Sequence, residues 1–204
     1  MKLYYSPAYC SQAVHIALRE AGIAADYVKV DTVAARTEQG ADFRGINPRG
    51  YVPVLELDDG SRHTEVAALL QYVADLAPAK ALIPSVGSRD RFLVQQWLTF
   101  ISSELHKSFS PWLFHKDTAD PTRKAVKEKL STRLADVETQ LAGREWLVGD
   151  RFTVADAYAF TILSWAPMLG MSLAGFPNLS AWMARVRARP QVQAALRAEG
   201  LLKD

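Results

Sequence analysis

The sequence predicts a two-part architecture, a small α/β sheet domain followed by an all-α domain. Three observations carry this expectation. Strand and helix patterns alternate over the first 80 or so residues, no convincing strand pattern follows Pro84, and a breaker-rich stretch separates the two regimes. That stretch, residues 77–87, holds Pro78, Pro84 and Gly87 and reads as the linker. The domains are therefore placed at residues 1–78 and 88–204.

Lys2–Tyr5 reads as the first strand, ended by Ser6-Pro7. Ser11–Ala21 reads as a helix with Ala13, Val14, Ala17, Leu18 and Ala21 on one face and Gly22 as its stop. Residues 27–30 form a second strand, and residues 43–46 a helical turn that Asn47-Pro48-Arg49-Gly50 interrupts. Residues 54–57 and 61–63 flank Asp58-Asp59-Gly60, a strong hairpin signal. Thr64 is the expected cap of a helix running through Ala67, Leu70, Val73 and Ala74 to Leu76. In the second half, residues 88–114 read as one long helix and residues 122–141 as another. Residues 154–166 are apolar nearly all round, the mark of a central buried helix, and residues 178–187 and 192–197 form short closing helices.

Composition excludes several classes of function. With 49% hydrophobic and 23% charged residues, the chain is globular rather than disordered or fibrous. A net charge of +2 does not argue for nucleic acid or an acidic membrane surface, and no apolar run is long enough to cross a bilayer. Arg185, Arg187 and Arg189 lack interleaved aromatics and read as a solvated helix face. The single cysteine excludes an intramolecular disulfide and a Cys-rich metal site. His15, His63, His106 and His115 show no ligand spacing, so no metal is expected. The opening residues lack the apolar core of a signal peptide, and a soluble protein of a reducing cytoplasm is the expectation.

Five local patterns bear on chemistry. Cys10 follows the first strand at the N-terminal edge of a helix, where the dipole favours thiolate; the alternative is a small buried structural residue. No second cysteine follows in Cys10-Ser11-Gln12-Ala13, so any resolving sulfur comes from a soluble thiol. Val52-Pro53 enters a strand directly and is a candidate for cis geometry, which turns the Val52 backbone outward; an ordinary trans edge proline is the alternative. Thr64-Glu65-Val66 opens a helix, where first-turn amides suit a carboxylate and Glu65 suits an ammonium group. Gln96, Thr99, Ser103, His106 and Ser110 repeat at helical spacing as an uncharged polar stripe, either a cleft wall or a satisfied seam between domains. Thr153 and Asp156 fit a capping box at the head of the buried helix, and removal of Asp156 is expected to cost about 1–2 kcal/mol.

Taken in order, these patterns resemble the glutathione transferases, specifically the bacterial beta class. The resemblance rests on Tyr4-Tyr5-Ser6-Pro7 ahead of Cys10-Ser11, Asn47-Pro48-Arg49-Gly50 leading into Val52-Pro53-Val54-Leu55, and Thr64-Glu65. Ser102-Ser103-Glu104-Leu105-His106-Lys107 and Phe152-Thr153-Val154-Ala155-Asp156-Ala157-Tyr158 extend it over essentially the whole chain. It implies a thioredoxin-like first domain, an all-helical second domain, and a homodimer with its active sites beside the interface. It further implies glutathione as co-substrate, a small hydrophobic electrophile, and a cysteine able to form a mixed disulfide with the glutathione sulfur.

Carried over by position, Val52 beside Pro53 pairs with the cysteinyl backbone of glutathione, and Glu65 with the Val66 amide holds its γ-glutamyl end. Ser103, His106, Thr99 and Lys107 belong to the same expected set. Thr99 stands where asparagine is common and Ala35 where lysine is common, with Arg36 beside it offering the positive charge toward the glycine carboxylate. Ala8-Tyr9 replaces a glycine and a small residue ahead of the cysteine, and Val66 replaces a small residue after the glutamate. Tyr9, Trp112, Phe114 and Trp165 are the expected electrophile liners, with core packing the alternative for the last three. Tyr5 and Ser11 rival Cys10 as the group that stabilises the glutathione thiolate. Conjugation is the first expected activity. Glutathione-dependent disulfide or peroxide reduction is the second, and a non-catalytic ligand- or protein-binding role the third.

Overall fold

A computed structural model describes residues 1–202. They group into two units, Pro84–Arg187 and a first unit in which Met1–Ile83 is joined by the chain from Ala188 onward. The expected boundary, with everything after residue 88 in the helical half, is corrected by this tail. Its helix packs against the first helix of the chain. Helical periodicity gives the apolar face made by Val192, Ala195 and Leu196, but not what covers that face.

In the first unit, β1 (Lys2–Tyr5) lies at the centre of a five-stranded mixed sheet. It pairs in parallel with β2 (Asp26–Asp31) and antiparallel with β4 (Val54–Glu56). β3 (Arg36–Thr37) and β5 (Arg62–His63) extend the two sides antiparallel. β3 escaped the sequence reading because two residues are too few to show alternation. Side chains alternate across the sheet: Tyr4 joins Val28, Val30, Phe43, Val52 and Val54 in one cluster, while Tyr5 turns to the opposite face and meets His15. On that face α1 (Ser11–Ala21) packs with α2 (Val66–Asp75) and with α9 (Pro190–Ala198). Gly22 ends α1 at φ 70°, where a side chain is disfavoured, and the Ile23 amide reaches back to the Leu18 carbonyl at 3.0 Å.

In the second unit the expected single helix over residues 88–114 is three segments. α3 (Arg89–Phe100) passes into a π-helical stretch, Ile101–His106, and then α4 (Lys107–Phe109). Helix ends at Ser110, which is extended at φ −115° and ψ 127°, because Pro111 disfavours helical geometry in the residue before it. The Ser110–Pro111 bond is cis. α5 (Asp120–Leu141) follows, then α6 (Val154–Leu163), α7 (Trp165–Met168) and α8 (Pro177–Arg187). Every residue of α6 is buried, as its all-round apolar pattern predicts, though the helix breaks at Ser164 rather than running to residue 166.

Two members of the arginine cluster are tied down rather than solvated. Arg185 donates to the Glu145 carbonyl and stands over the Trp146 ring, and Arg189 forms a two-pronged pair with Glu20 at 2.7 and 2.8 Å.

Candidate active site

The loop from β1 into α1 is closed by its own hydroxyls. Ser6 Oγ donates to the Val30 carbonyl at 2.5 Å, while Ser11 Oγ accepts from the Ser6 amide and donates to the Ser6 carbonyl, both at 3.2 Å. Cys10 occupies the cap position of α1 with only 9% of its surface exposed, and its Sγ donates to the Val52 carbonyl at 3.4 Å. The Val52–Pro53 bond is cis, so the turn identified in the sequence and the thiol meet directly.

Neither hydroxyl rival of Cys10 is presented at the surface. Ser11 is fully buried, with its hydroxyl both donating and accepting inside the loop. Tyr5 packs on His15 and Tyr27, because its place in β1 points it at α1. Burial, and after it the Glu199 charge, push its phenol above the ordinary value. Tyr9, by contrast, is 46% exposed, and its hydroxyl accepts from Thr32.

Behind the loop sits Glu199, whose side chain is wholly buried. It accepts from the Ala8 amide and from Gln12 Nε2, each at 3.1 Å, and lies 2.9 Å from His15 Nδ1. Arg19 Nε donates to His15 Nε2 at 2.9 Å. Since arginine only donates, Nε2 is the accepting nitrogen and Nδ1–H points to Glu199. The end of the chain thereby fixes Ala8, which holds φ 63° two residues before the thiol.

Across the Asn47–Tyr51 turn, Asn47 Nδ2 donates to the Tyr51 carbonyl at 2.7 Å and its Oδ1 accepts from the Arg49 amide at 3.2 Å. The residue at the cap of α2 is Glu65, not the expected Thr64. Its φ of 71° and ψ of 104° lie where a residue with a Cβ is strained. The Glu65 carboxylate accepts from the Tyr51 hydroxyl at 2.7 Å. Val66 follows with its side chain buried, and as the first helical residue its amide has no intrahelical acceptor. Arg36 is exposed on β3 and donates to the Gly40 carbonyl at 2.9 Å.

In the helical unit the polar stripe is partly self-satisfied. Thr99 and Ser103 are exposed, and their hydroxyls donate one turn back, to the Gln95 and Thr99 carbonyls. His106 closes the π-helical stretch with Nδ1 2.7 Å from the hydroxyl of Tyr158, a buried residue of α6, and its ring meets Trp165 edge-on at 5.3 Å. Lys107 is exposed. Glu104, in the same stretch, takes Arg133 Nε at 2.9 Å and Lys129 Nζ at 3.4 Å, and the Arg133 bond holds its carboxyl below the ordinary value.

Trp165 is core, 5% exposed and ringed by His106, Phe109 and Phe114; Trp112 and Phe114 are 48% and 44% exposed. Trp112 borders a cavity of about 340 Å³ with Pro111, His115 and Thr118. The loop carrying it is held by Arg123, which donates to the Leu113, His115 and Thr118 carbonyls. Among the described residues there is no group of three or more His, Cys, Asp and Glu placed to hold a metal, and no helix long and apolar enough to cross a membrane.

Four residues of these networks went unread in the sequence. Tyr158 entered only as the last residue of a motif that carries the family resemblance, and Tyr51 was given no part. Arg123 and Glu199 carry no local signal, because their partners are carbonyls or lie 184 residues away.

Comparison with known proteins gives a consistent result. Residues 9–76 match the family described as Glutathione S-transferase, N-terminal domain, and residues 100–190 match Glutathione S-transferase, C-terminal domain. The chain is 45% identical over 201 residues to Glutathione S-transferase GstA of Escherichia coli O157:H7, covering 98% of this chain and all of that one. A sphingomonad glutathione S-transferase complexed with glutathione superposes with a TM-score of 0.95 at 45% identity, covering 99% and 100% of the two chains. A bacterial beta class glutathione S-transferase of Sphingomonas chungbukensis does so with 0.95 at 43% identity, again over 99% and 100%.

Proposed function

The chain belongs to the glutathione S-transferase family, and from that premise we propose that it conjugates glutathione to small hydrophobic electrophiles, with Cys10 beside the glutathione sulfur. The observation that carries the reading is the buried thiol at the head of α1, hydrogen-bonded to the carbonyl of the cis Val52–Pro53 turn. In this proposal glutathione lies extended along that turn, its cysteinyl backbone against Val52 and its γ-glutamyl end at Glu65 and the Val66 amide. Arg36 serves the glycine carboxylate. Thr99, Ser103, His106 and Lys107 keep the roles toward glutathione that the resemblance gives them, with His106 managing the proton. Tyr9, Trp112 and Phe114 are the electrophile liners, Trp165 supporting them from the core. The protein acts as a cytoplasmic homodimer.

Conjugation to an aryl halide is nucleophilic substitution. The glutathione thiolate forms a carbon–sulfur bond, and halide leaves with its bonding electrons. The mixed disulfide arises separately by thiol–disulfide exchange. Cys10 thiolate attacks one sulfur of oxidised glutathione, the new S–S bond joins Cys10 to one glutathionyl group, and the other departs as thiolate. Because Cys10 is the only cysteine, a second glutathione must resolve that bond. This favours glutathione-dependent disulfide reduction as the second reading.

Conjugation and disulfide reduction are measured in parallel on the wild type and Cys10→Ala. The expected result is conjugation by the wild type and loss of reduction in the variant. A wild-type protein that performs neither reaction and is not retained on immobilised glutathione overturns the proposal.

A further inference from the structure

Tyr51 and Glu65 form a contact that the expected roles do not include. The Tyr51 backbone is anchored by Asn47, and its hydroxyl donates to Glu65 Oε1 at 2.7 Å. Among the described residues Glu65 Oε2 has no hydrogen-bond partner, so one oxygen of the carboxylate is tethered and the other is open. Glu65 is exposed, and its backbone is held at φ 71° by its place at the head of α2. The Glu65 bond, with burial after it, pushes the Tyr51 phenol above its ordinary value, so the hydroxyl remains a donor at neutral pH.

An exposed glutamate samples many rotamers, and freezing it on ligand binding opposes affinity. A fixed hydroxyl that already holds one oxygen removes much of that cost before the ligand arrives. The second oxygen keeps its lone pairs for a charge-assisted bond to an N–H⁺ donor.

We propose that Tyr51 is a positioning residue for a primary ammonium group, the α-amine of the γ-glutamyl end of glutathione, acting by pinning Glu65 Oε1 and leaving Oε2 to the amine. The inference rests on the reading that Glu65 holds that end of glutathione. It goes beyond that reading by assigning the turn, and not only the helix start, a part in selecting a γ-glutamyl ligand over one without the amine. The hydroxyl also draws negative charge from the carboxylate, which opposes amine binding. Pre-organisation is the larger effect, because Oε2 is the oxygen left free.

The test is calorimetric binding of glutathione and of its amine-free analogue, glutaryl-cysteinyl-glycine, to the wild type, Tyr51→Phe and Glu65→Gln. Tyr51 is 40% exposed, and thermal melts verify that the phenylalanine variant is folded. Tyr51→Phe is expected to weaken glutathione binding about five- to tenfold and to change analogue binding less than about twofold. In conjugation assays KM for glutathione rises by the same factor while kcat holds. Tyr51→Phe binding both ligands like the wild type, or weakening both equally, overturns the inference while loss of amine preference in Glu65→Gln keeps the site reading. Glu65→Gln retaining the full preference overturns the placement of the γ-glutamyl end at Glu65, and the role of Tyr51 with it.

Discussion

Replacing Asp156 with alanine removes the acceptor of four hydrogen bonds at the heart of the helical unit. Asp156 lies in the first turn of α6 and is fully buried. Together with Thr153 it closes the capping box that the sequence announced, with Oδ2 taking the Thr153 amide at 2.8 Å and its hydroxyl at 3.0 Å. Oδ1 reaches further, accepting from the Leu147 amide at 3.1 Å and from Trp182 Nε1 at 2.9 Å. The carboxylate thus ties the start of α6 to the segment after α5 and to α8. The Thr153 hydroxyl can rotate to a new partner, but the two amides and the indole cannot. At about 1–1.5 kcal/mol for each stranded donor, the variant loses about 3–5 kcal/mol, above the 1–2 kcal/mol expected of a cap alone. For a chain of this length that lowers the melting temperature by about 8–15 °C.

Asp156→Asn separates the contributions. Its amide keeps an acceptor for one pair of donors and sets an N–H₂ group against the other, so about half the loss is expected. Burial, outweighing the four donors, raises the Asp156 carboxyl above the ordinary value near 3.8. An acid raised in the folded state contributes stability that is full below its unfolded value and fades as pH rises through its folded value. The deficit of the asparagine variant relative to the wild type therefore shrinks from pH 4 toward pH 8. Urea unfolding at matched protein concentration measures both variants. An alanine variant melting within about 2 °C of the wild type refutes the assignment.

Two further substitutions test the other buried networks. Glu199→Ala strands the Ala8 amide, Gln12 and His15 donors and is expected to cost about 3 kcal/mol by thermal melt. If Glu199 also steadies the thiol loop, alkylation of Cys10 by iodoacetamide accelerates in that variant, and an unchanged rate confines the residue to folding. Tyr158→Phe removes the 2.7 Å partner of His106 Nδ1 and is expected to lower the melting temperature by about 2–4 °C. It also lowers kcat/KM for conjugation, whereas an unaltered value means that the orientation of His106 does not matter to the reaction.

Most of the fold was legible because its elements carry local signatures. Ser6-Pro7 marked the end of β1, Asp58-Asp59-Gly60 marked the hairpin, and Gly22 marked the end of α1. What escaped depends on partners distant in sequence. The tail helix looks like any amphipathic closing helix until α1 covers it, and the π-helical stretch has the same apolar period as the helix around it. In the candidate site, Cys10 and the Val52–Pro53 turn were legible as separate motifs, and the family resemblance joined them. For Ser11 and Tyr5, a hydroxyl in sequence does not say which way it faces. The strand parity of β1 turns Tyr5 inward, and Ser6 consumes both hydrogen-bonding roles of Ser11.

Backbone strain gathers near the residues of the proposed site. Four residues other than glycine hold positive φ: Ala8, Ala35, Glu65 and Ala81. Such conformations disfavour a side chain and persist only where surrounding contacts over-determine them. One of the four, Glu65, belongs to the proposed glutathione set, and two more lie near its members, Ala8 two residues before Cys10 and Ala35 beside Arg36. The Ala8 backbone is held through its amide by Glu199, while Glu65 has its backbone set by the head of α2 and its carboxylate held by Tyr51. On the proposed reading, a receptor backbone set before the ligand arrives lowers the ordering cost of binding a flexible peptide. Ala81, in the turn after Pro78–Lys80, is the exception and is accounted for by chain reversal at the end of that turn. In the proposed site the thiol that the sequence marked is one part of a pre-set surface, and replacing Tyr51 or Glu199, which hold Glu65 and Ala8, tests shape apart from chemistry.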